Sequence, residues 1–274
     1  MIRRFLFQID SEKMLSPDRA YAFYSCLLSL LPEGYAEAMH EQGETPISQC
    51  LYSERGQSFW RVQLLNELSN DGFAATLQEL KTLPVNTGDV RLKLLEDKSF
   101  SADEIIMKAR AIESGRFFSL RFLSPTAFKQ SGRYTVLPDK ELILQSLLNK
   151  WNVSFPSYPL EDEDAFRMLS EGIRVSDYNL RTTRFTLKDT KIPGFIGSLR
   201  FDTHLSPPLL DICKILLAFS EYSGVGIKTA LGMGGVKLIS TSRIVYGDLL
   251  LKCSHIIYKR RSPGKKEPRA SSLC

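Results

Sequence analysis

Residues 224 to 235 read Gly-Val-Gly-Ile-Lys-Thr-Ala-Leu-Gly-Met-Gly-Gly, so five of the chain's seventeen glycines surround a single cation, Lys228. Positions without side chains let the backbone adopt positive φ and let a ligand come close to main-chain N–H groups, while an ammonium adds a point charge. The chemistry such a segment suits is the holding of phosphate. Gly224, Gly226, Lys228, Thr229, Gly232 and Gly234 are therefore expected to meet a phosphate backbone, with Lys237 following on the next element. Element order decides what kind of phosphate. A mononucleotide or dinucleotide loop runs from a strand into a helix whose N-terminus faces the anion. Here the helical pattern, Leu209 to Tyr222, comes first and a strand, Val236 to Ser240, comes after. A polynucleotide backbone is the better candidate.

Other chemistries find little support. No acidic pair stands at metal-ligand spacing and no histidine–carboxylate cluster exists, so neither a metal nor a cofactor is expected. The five cysteines, Cys26, Cys50, Cys213, Cys253 and Cys274, form an odd set without a close pair, which argues against a disulfide framework or a zinc site and fits a reducing cytoplasm. No apolar window reaches the roughly eighteen residues that a membrane span needs. The net charge of +5 is carried by the tail from Lys259 onward, where six cations face one anion, so residues 1 to 258 are neutral in sum. That tail reads as a basic arm adding salt-sensitive affinity for nucleic acid, or equally as a solvated terminus. A specific site on the body must come from local clustering.

The elements that position these residues follow from periodicity. Ile2 to Ile9 suits a strand; Ser16-Pro17-Asp18 opens a helix with Ala20, Phe23, Tyr24, Leu27, Leu28 and Leu31 on its buried face, ended by Pro32 and Gly34. Ile47 to Tyr52 and Ser58 to Leu65 pair around Arg55-Gly56, Asp71 to Leu80 is helical, and Asp89 to Leu95 alternates as a strand. This is the β-α-β-β-α-β order of a ferredoxin-like unit. The second half repeats it: a strand over Arg116 to Leu123 ending at Ser124-Pro125, a helix over Asp139 to Trp151, strands over Ile173 to Leu187 and Phe195 to Thr203, a helix opened by Ser206-Pro207, the glycine loop and the last strand. The acidic run Glu161 to Asp164 begins another helical stretch, where carboxylates favour the positive end of the dipole. The class is α+β, two tandem ferredoxin-like domains at 1–96 and 116–240, with 97–115 a linker or insertion and 241–274 an extension.

Together these pieces resemble one family, the CRISPR-associated endoribonucleases of the RAMP superfamily that cut precursor CRISPR RNA within its repeats. The resemblance spans about residues 2 to 239. Its most specific element is GVGIKTALGMGG between the last helix and last strand; Leu123-Ser124-Pro125-Thr126, Ser146-Leu147-Leu148 before Trp151, Gly194-Phe195-Ile196-Gly197 and Met39-His40-Glu41 support it. The resemblance implies metal-independent cleavage by the ribose 2′-hydroxyl, leaving a cyclic phosphate and a 5′-hydroxyl. It implies CRISPR repeat RNA as partner, and leaves open association with an effector complex and as a homodimer. His40 matches the family's catalytic histidine after the first helix, and Tyr24 a tyrosine near it in some members. Where some members carry a lysine past the histidine, this chain has Thr45, with Lys228 or Arg55 as substitutes.

Each residue also has a plainer reading. His40 serves proton transfer near neutral pH or is a solvated loop residue. Tyr24 orients the scissile nucleotide or packs in the core. Arg181 and Thr183 share one strand face and Arg184 takes the other, which reads as a solvated face; His204 and His255 read as structural. A noncatalytic RNA-holding member of the superfamily is the alternative function, and a nucleotide-dependent enzyme comes third.

Overall fold

The first strand carries apolar residues on both faces, which is why its alternation is weak. In the computed structural model β1 (Ile2–Asp10) turns Phe5, Phe7 and Ile9 into one core while Ile2 enters another. The structure describes residues 1–11, 14–31, 46–85, 88–113 and 115–240, and residues 1–240 form one compact unit. His40, Thr45, His255 and the basic tail lie outside the described residues.

After β1 a single 3₁₀ turn leads into α1 (Ala20–Ser29), which buries Ala20, Phe23, Tyr24 and Leu27. Strands β2 (Ile47–Glu54) and β3 (Gln57–Leu64) meet at Arg55 and Gly56, both at positive φ (52° and 79°), the conformation that matches a tight hairpin to strand twist. α2 (Glu67–Glu79), β4 (Thr82–Val85) and β5 (Gly88–Phe100) complete an antiparallel sheet in the order β2-β3-β1-β5-β4. Phe23 and Leu27 of α1 and Phe73 and Leu77 of α2 cover one face, against Phe5, Phe7 and Trp60. Next comes α3 (Ala102–Arg110), opened by a capping box between Ser101 and Glu104.

The second sheet holds β6 (Phe117–Thr126), β9 (Ile173–Leu187), β10 (Thr190–Thr203) and β11 (Val236–Ser240), with a small hairpin of β7 (Phe128–Gln130) and β8 (Arg133–Thr135) beside it. Its order is β11-β6-β10-β9. α4 (Lys140–Ser154), α5 (Glu163–Glu171) and α6 (Pro207–Ser223) supply Leu147, Trp151, Leu169, Leu216 and Phe219 to a core with Phe118, Leu120, Leu199 and Phe201. Ile2, Leu65 and the α3 residues Ile105 and Ala109 join that core. In each sheet the second, third, first and last strands of a β-α-β-β-α-β run lie side by side, so the protein is two tandem ferredoxin-like units. Among the described residues no helix is long and apolar enough to cross a membrane.

Several elements depart from the expected boundaries for local reasons. β6 continues through Ser124-Pro125 to Thr126 because Pro125 falls where the β6–β10 register jumps, between Thr126↔Phe195 and Phe122↔Gly197. A bulge is where a strand tolerates a residue without an N–H. β5 extends to Phe100, five residues past the alternating stretch, as the partner of β1 from Asp10 back to Ile2. Ser16 and Ser206 precede their helices but make no side-chain cap; the prolines after them preset the first helical φ. Asp139 and Asp162 do cap, accepting from the N–H groups of Leu142 and Ala165 at 3.1 and 2.9 Å.

Across β1 and β5, Arg3 donates Nε and Nη2 to the two carboxylate oxygens of Asp97, both at 2.8 Å, and Gln78 adds a third bond. The Arg3 hydrogen bonds hold the Asp97 carboxyl below the usual aspartate range. A carboxyl depressed in the folded state stabilises fully above its unfolded pKa of about 3.9 and loses that contribution as pH falls through the folded value. Asp97→Asn should therefore flatten the acid limb: urea-derived stability of the parent should fall more steeply between about pH 5 and pH 2 than that of the variant. Parallel curves would remove Asp97 from the acid response.

Candidate nucleic-acid interface

The glycine loop leaves α6 at Gly224 and enters β11 at Val236, in the helix-to-strand order expected, but most of its donors are already used. Val225 donates to Gly234 O at 2.8 Å, Ile227 to Ala127 O at 3.0 Å and Gly234 to Pro125 O at 3.0 Å. Gly226 donates to Ser146 Oγ and Gly235 to Ser124 Oγ, each at 2.9 Å. Gly224, Leu231, Gly232 and Met233 bond within the helix end and the loop. The N–H groups of Lys228, Thr229 and Ala230 remain without a hydrogen-bond partner among the described residues. Lys228 sits there in the left-handed region with its side chain exposed, at the start of a one-turn 3₁₀ segment, Thr229–Leu231.

Close packing accounts for the rest of the glycine content. A Cβ on Gly232, at φ +111°, would lie 2.3 Å from Ala20 Cβ on α1, and one on Gly234, at φ +70°, would lie 2.1 Å from Val225 O. The loop is thus pressed against the first turn of α1 and folded on itself. Gln49 of β2, 2% exposed, ties the same contact: its amide donates to Ala20 O at 2.9 Å and Ala230 O at 3.2 Å and accepts from Trp60 Nε1 at 2.8 Å. On the other side, the ammonium of Lys150 on α4 reaches Gly226 O at 3.0 Å, Gly224 O at 3.3 Å and Ser223 O at 3.4 Å. A cation at the carbonyl end of α6 complements both its dipole and its unpaired acceptors. Lys150 falls within the helix read over Asp139 to Trp151, and nothing in the sequence pairs it with a loop seventy residues on.

The remaining predicted residues spread out. Tyr24 is 8% exposed within the first core, on the helix that Gly232 touches. Lys237 lies on β11 with Nζ 3.1 Å from Glu54 Oε1 of β2, and that hydrogen bond draws the Glu54 carboxyl below its ordinary range. Registers then reveal a feature invisible to sequence reading. Lys237 stands opposite Arg121, Arg121 opposite Ser198, and Ser198 opposite Asn179, so their side chains form one row across all four strands on the face away from α4 and α6. Arg181, opposite Ile196, shares that face, as does Thr183 two residues on. Arg200 lies in the next row, its guanidinium 4.4 Å over the Phe117 ring and its Nε buried without a hydrogen bond. His204, at the end of β10, is engaged by Arg116 and Asp202, and the Arg116 hydrogen bond lowers the Asp202 pKa. The described face offers cations, amides and hydroxyls for a polyanion.

With the geometry in place, three comparisons bear on identity. Residues 120–236 match the family model for CRISPR-associated endoribonuclease Cas6. The Cas6 endoribonuclease of Streptococcus thermophilus is 33% identical over 222 residues, covering 81% of this chain and 91% of that protein. That of Mycobacterium tuberculosis is 27% identical over 223 residues, 78% of this chain and 70% of that protein. Among solved structures, a Cas6 product complex superimposes with a TM-score of 0.72 at 25% identity over 88% of this chain and 100% of its own. Thermus thermophilus Cas6 gives 0.66 at 26% identity, covering 87% and 98%.

The loop's two anchors can be tested separately. Gln49→Leu leaves the Trp60 N–H buried without an acceptor, and Lys150→Met strips the loop carbonyls of their cation. Each should lower unfolding stability by about 1–3 kcal/mol, read as a shift in urea midpoint. Unchanged midpoints would show that the loop holds its place without them.

Proposed function

The chain belongs to the family of the CRISPR-associated endoribonuclease Cas6, and on that premise we propose that it cuts precursor CRISPR RNA within the repeats, without a metal ion. The observations that carry the reading are two sets of donors: the N–H groups of Lys228, Thr229 and Ala230, which have no partner among the described residues, and the guanidinium groups of Arg121 and Arg181 on one face of the second sheet. Phosphate contacts supply much of the affinity for a nucleic acid and fix its register, and these groups suit them.

In the proposed reaction the 2′-hydroxyl of one ribose loses its proton, its oxygen bonds to the adjacent phosphorus, and the bond from phosphorus to the 5′-oxygen breaks. The 5′-oxygen takes up a proton, leaving a 2′,3′-cyclic phosphate and a 5′-hydroxyl. Atoms balance with no water consumed. His40 supplies the proton transfer, since an imidazole exchanges protons near neutral pH. Lys228 and the free N–H groups beside it are the donors for charge growing on the phosphate, and Thr229, Gly224, Gly226, Gly232 and Gly234 shape the segment that presents them. Between the two cations that stand in for a lysine near Thr45, Lys228 is favoured by its place beside those donors; Arg55 lies in the β2–β3 turn. Tyr24 is buried in the first core on α1, the helix whose Ala20 meets the loop, and from there it helps position the scissile nucleotide. On the same reading the chain divides into an N-terminal domain over 1–96 and a C-terminal domain over 116–240, with β5 of the first sheet running on to Phe100.

The test uses a repeat RNA from the chain's own CRISPR array, in EDTA. Cleavage should continue without added metal and cease when the nucleotide at the cut carries a 2′-deoxyribose. His40→Ala should slow cleavage by about 10²–10⁴-fold while affinity changes little. Binding without any cyclic-phosphate product would instead make the chain a noncatalytic holder of guide RNA, a reading that Thr45 in place of a cation favours.

A further inference from the structure

Midway along the open face of the second sheet, the row of polar side chains widens into a cleft of about 360 Å³. Arg121 on β6, Asn179 and Arg181 on β9 and Ser198 on β10 line it, with Ile196 on the same face, and Tyr52 on β2 of the first unit closes it. The register jump between Phe195 and Gly197 lies alongside, and a bulge of this kind re-aims the side chains next to it. The space is at the small end of ligand pockets, enough for a single nucleotide and too little for a duplex.

Its polar groups are uncommitted. Arg121, Asn179, Arg181 and Ser198 make no side-chain hydrogen bond or ion pair with a described residue, while the neighbouring carboxylate of Glu54 is held by Lys237. Two guanidinium groups facing one cleft repel each other, and the arrangement gains stability when an anion enters. Tyr52 is stacked on Phe59, with ring centroids 5.5 Å apart at 25°, and burial raises its phenol pKa, so it remains a neutral aromatic wall with a hydroxyl donor. Cations that hold phosphate, an aromatic flank, and an amide beside a hydroxyl are the elements by which proteins take up a base splayed from single-stranded RNA.

We propose that this cleft receives one unpaired adenosine of the bound RNA, its phosphates on Arg121 and Arg181 and its base edge on Asn179 and Ser198. The amide of Asn179 presents a donor and an acceptor side by side, the pattern complementary to adenine. Guanine would set its carbonyl oxygen against the amide oxygen. The site rests on the RNA-binding reading above and extends it. The row leads from Lys237, which Glu54 holds, through Arg121 into the cleft, so RNA lying along this face meets Arg121 and Arg181 in turn.

The experiment measures binding of the full-length protein to repeat RNA carrying a single abasic site at each unpaired position in turn, by fluorescence anisotropy at fixed salt. One position should stand out, losing about tenfold in affinity when abasic and a similar amount when its adenine becomes guanine. Asn179→Ala should weaken binding of the intact RNA by the same factor and have no further effect on that abasic RNA. Asn179→Leu, uncharged and of similar size, should do likewise. Arg181→Ala should weaken every RNA evenly and reduce the slope of log affinity against log salt by about one. If Asn179→Ala binds intact RNA like the parent, or loses affinity equally for every abasic RNA, the cleft does not read a base. A preference for guanine at the sensitive position would overturn the adenine assignment. Parent protein that binds no repeat RNA would instead overturn the functional reading on which the site depends.

Discussion

One chain segment can lie against another at main-chain contact distance only where side chains are missing, and the segment from Gly224 to Gly235 uses that freedom to the full. It is pressed on α1, bonded to β6 through Pro125 O and Ser124 Oγ, and tied to β2 by Gln49. Its position determines where β11 begins, hence where Lys237 and the cation row fall, and it leaves three successive N–H groups beside an exposed lysine. The abundance of glycine thus answers first to packing. The donors available to a phosphate are those few that the packing leaves over.

That constraint also explains why short motifs scattered through the chain belong together. Ser124 accepts from Gly235, and Ser146 accepts from Gly226. Gly194 lies where a Cβ would stand 2.7 Å from Thr126 O. Ser124 and Ser146, 111 and 80 positions from their partners, therefore converge on one loop, each supplying a hydrogen-bond acceptor that the loop requires. Lys150 completes the arrangement from α4, with its charge against the carbonyl end of α6.

Charge follows a similar logic of placement. The body of the chain is neutral in sum, yet Lys237, Arg121, Arg181 and Arg200 all lie on one face of one sheet. Carboxylates stand among them, with Glu54 on Lys237, Asp177 opposite Arg200 and Asp202 on Arg116, so among the described residues Arg121 and Arg181 are left without an ion pair. Counting residues hides this arrangement, because affinity for phosphate depends on the density of uncompensated cations over a few ångströms and hardly at all on the total.

The sequence alone determined the α+β class, the repeated β-α-β-β-α-β order and the helix-loop-strand setting of the glycines, since hydrophobic period and proline or glycine breaks are local properties. It also separated Arg181 and Thr183 from Arg184 by strand alternation. The strand running through Ser124-Pro125 escaped it, because a bulge is a relation between two strands and has no signature in one. Only the tertiary structure decided that Lys237, Arg121, Ser198 and Asn179 stand in one row, since strand register joins residues far apart in the chain. It alone decided that Gln49 and Lys150 are anchors and that most loop N–H groups are spent. Such facts depend on which distant acceptor a donor meets, and that is settled when the sheets and helices pack.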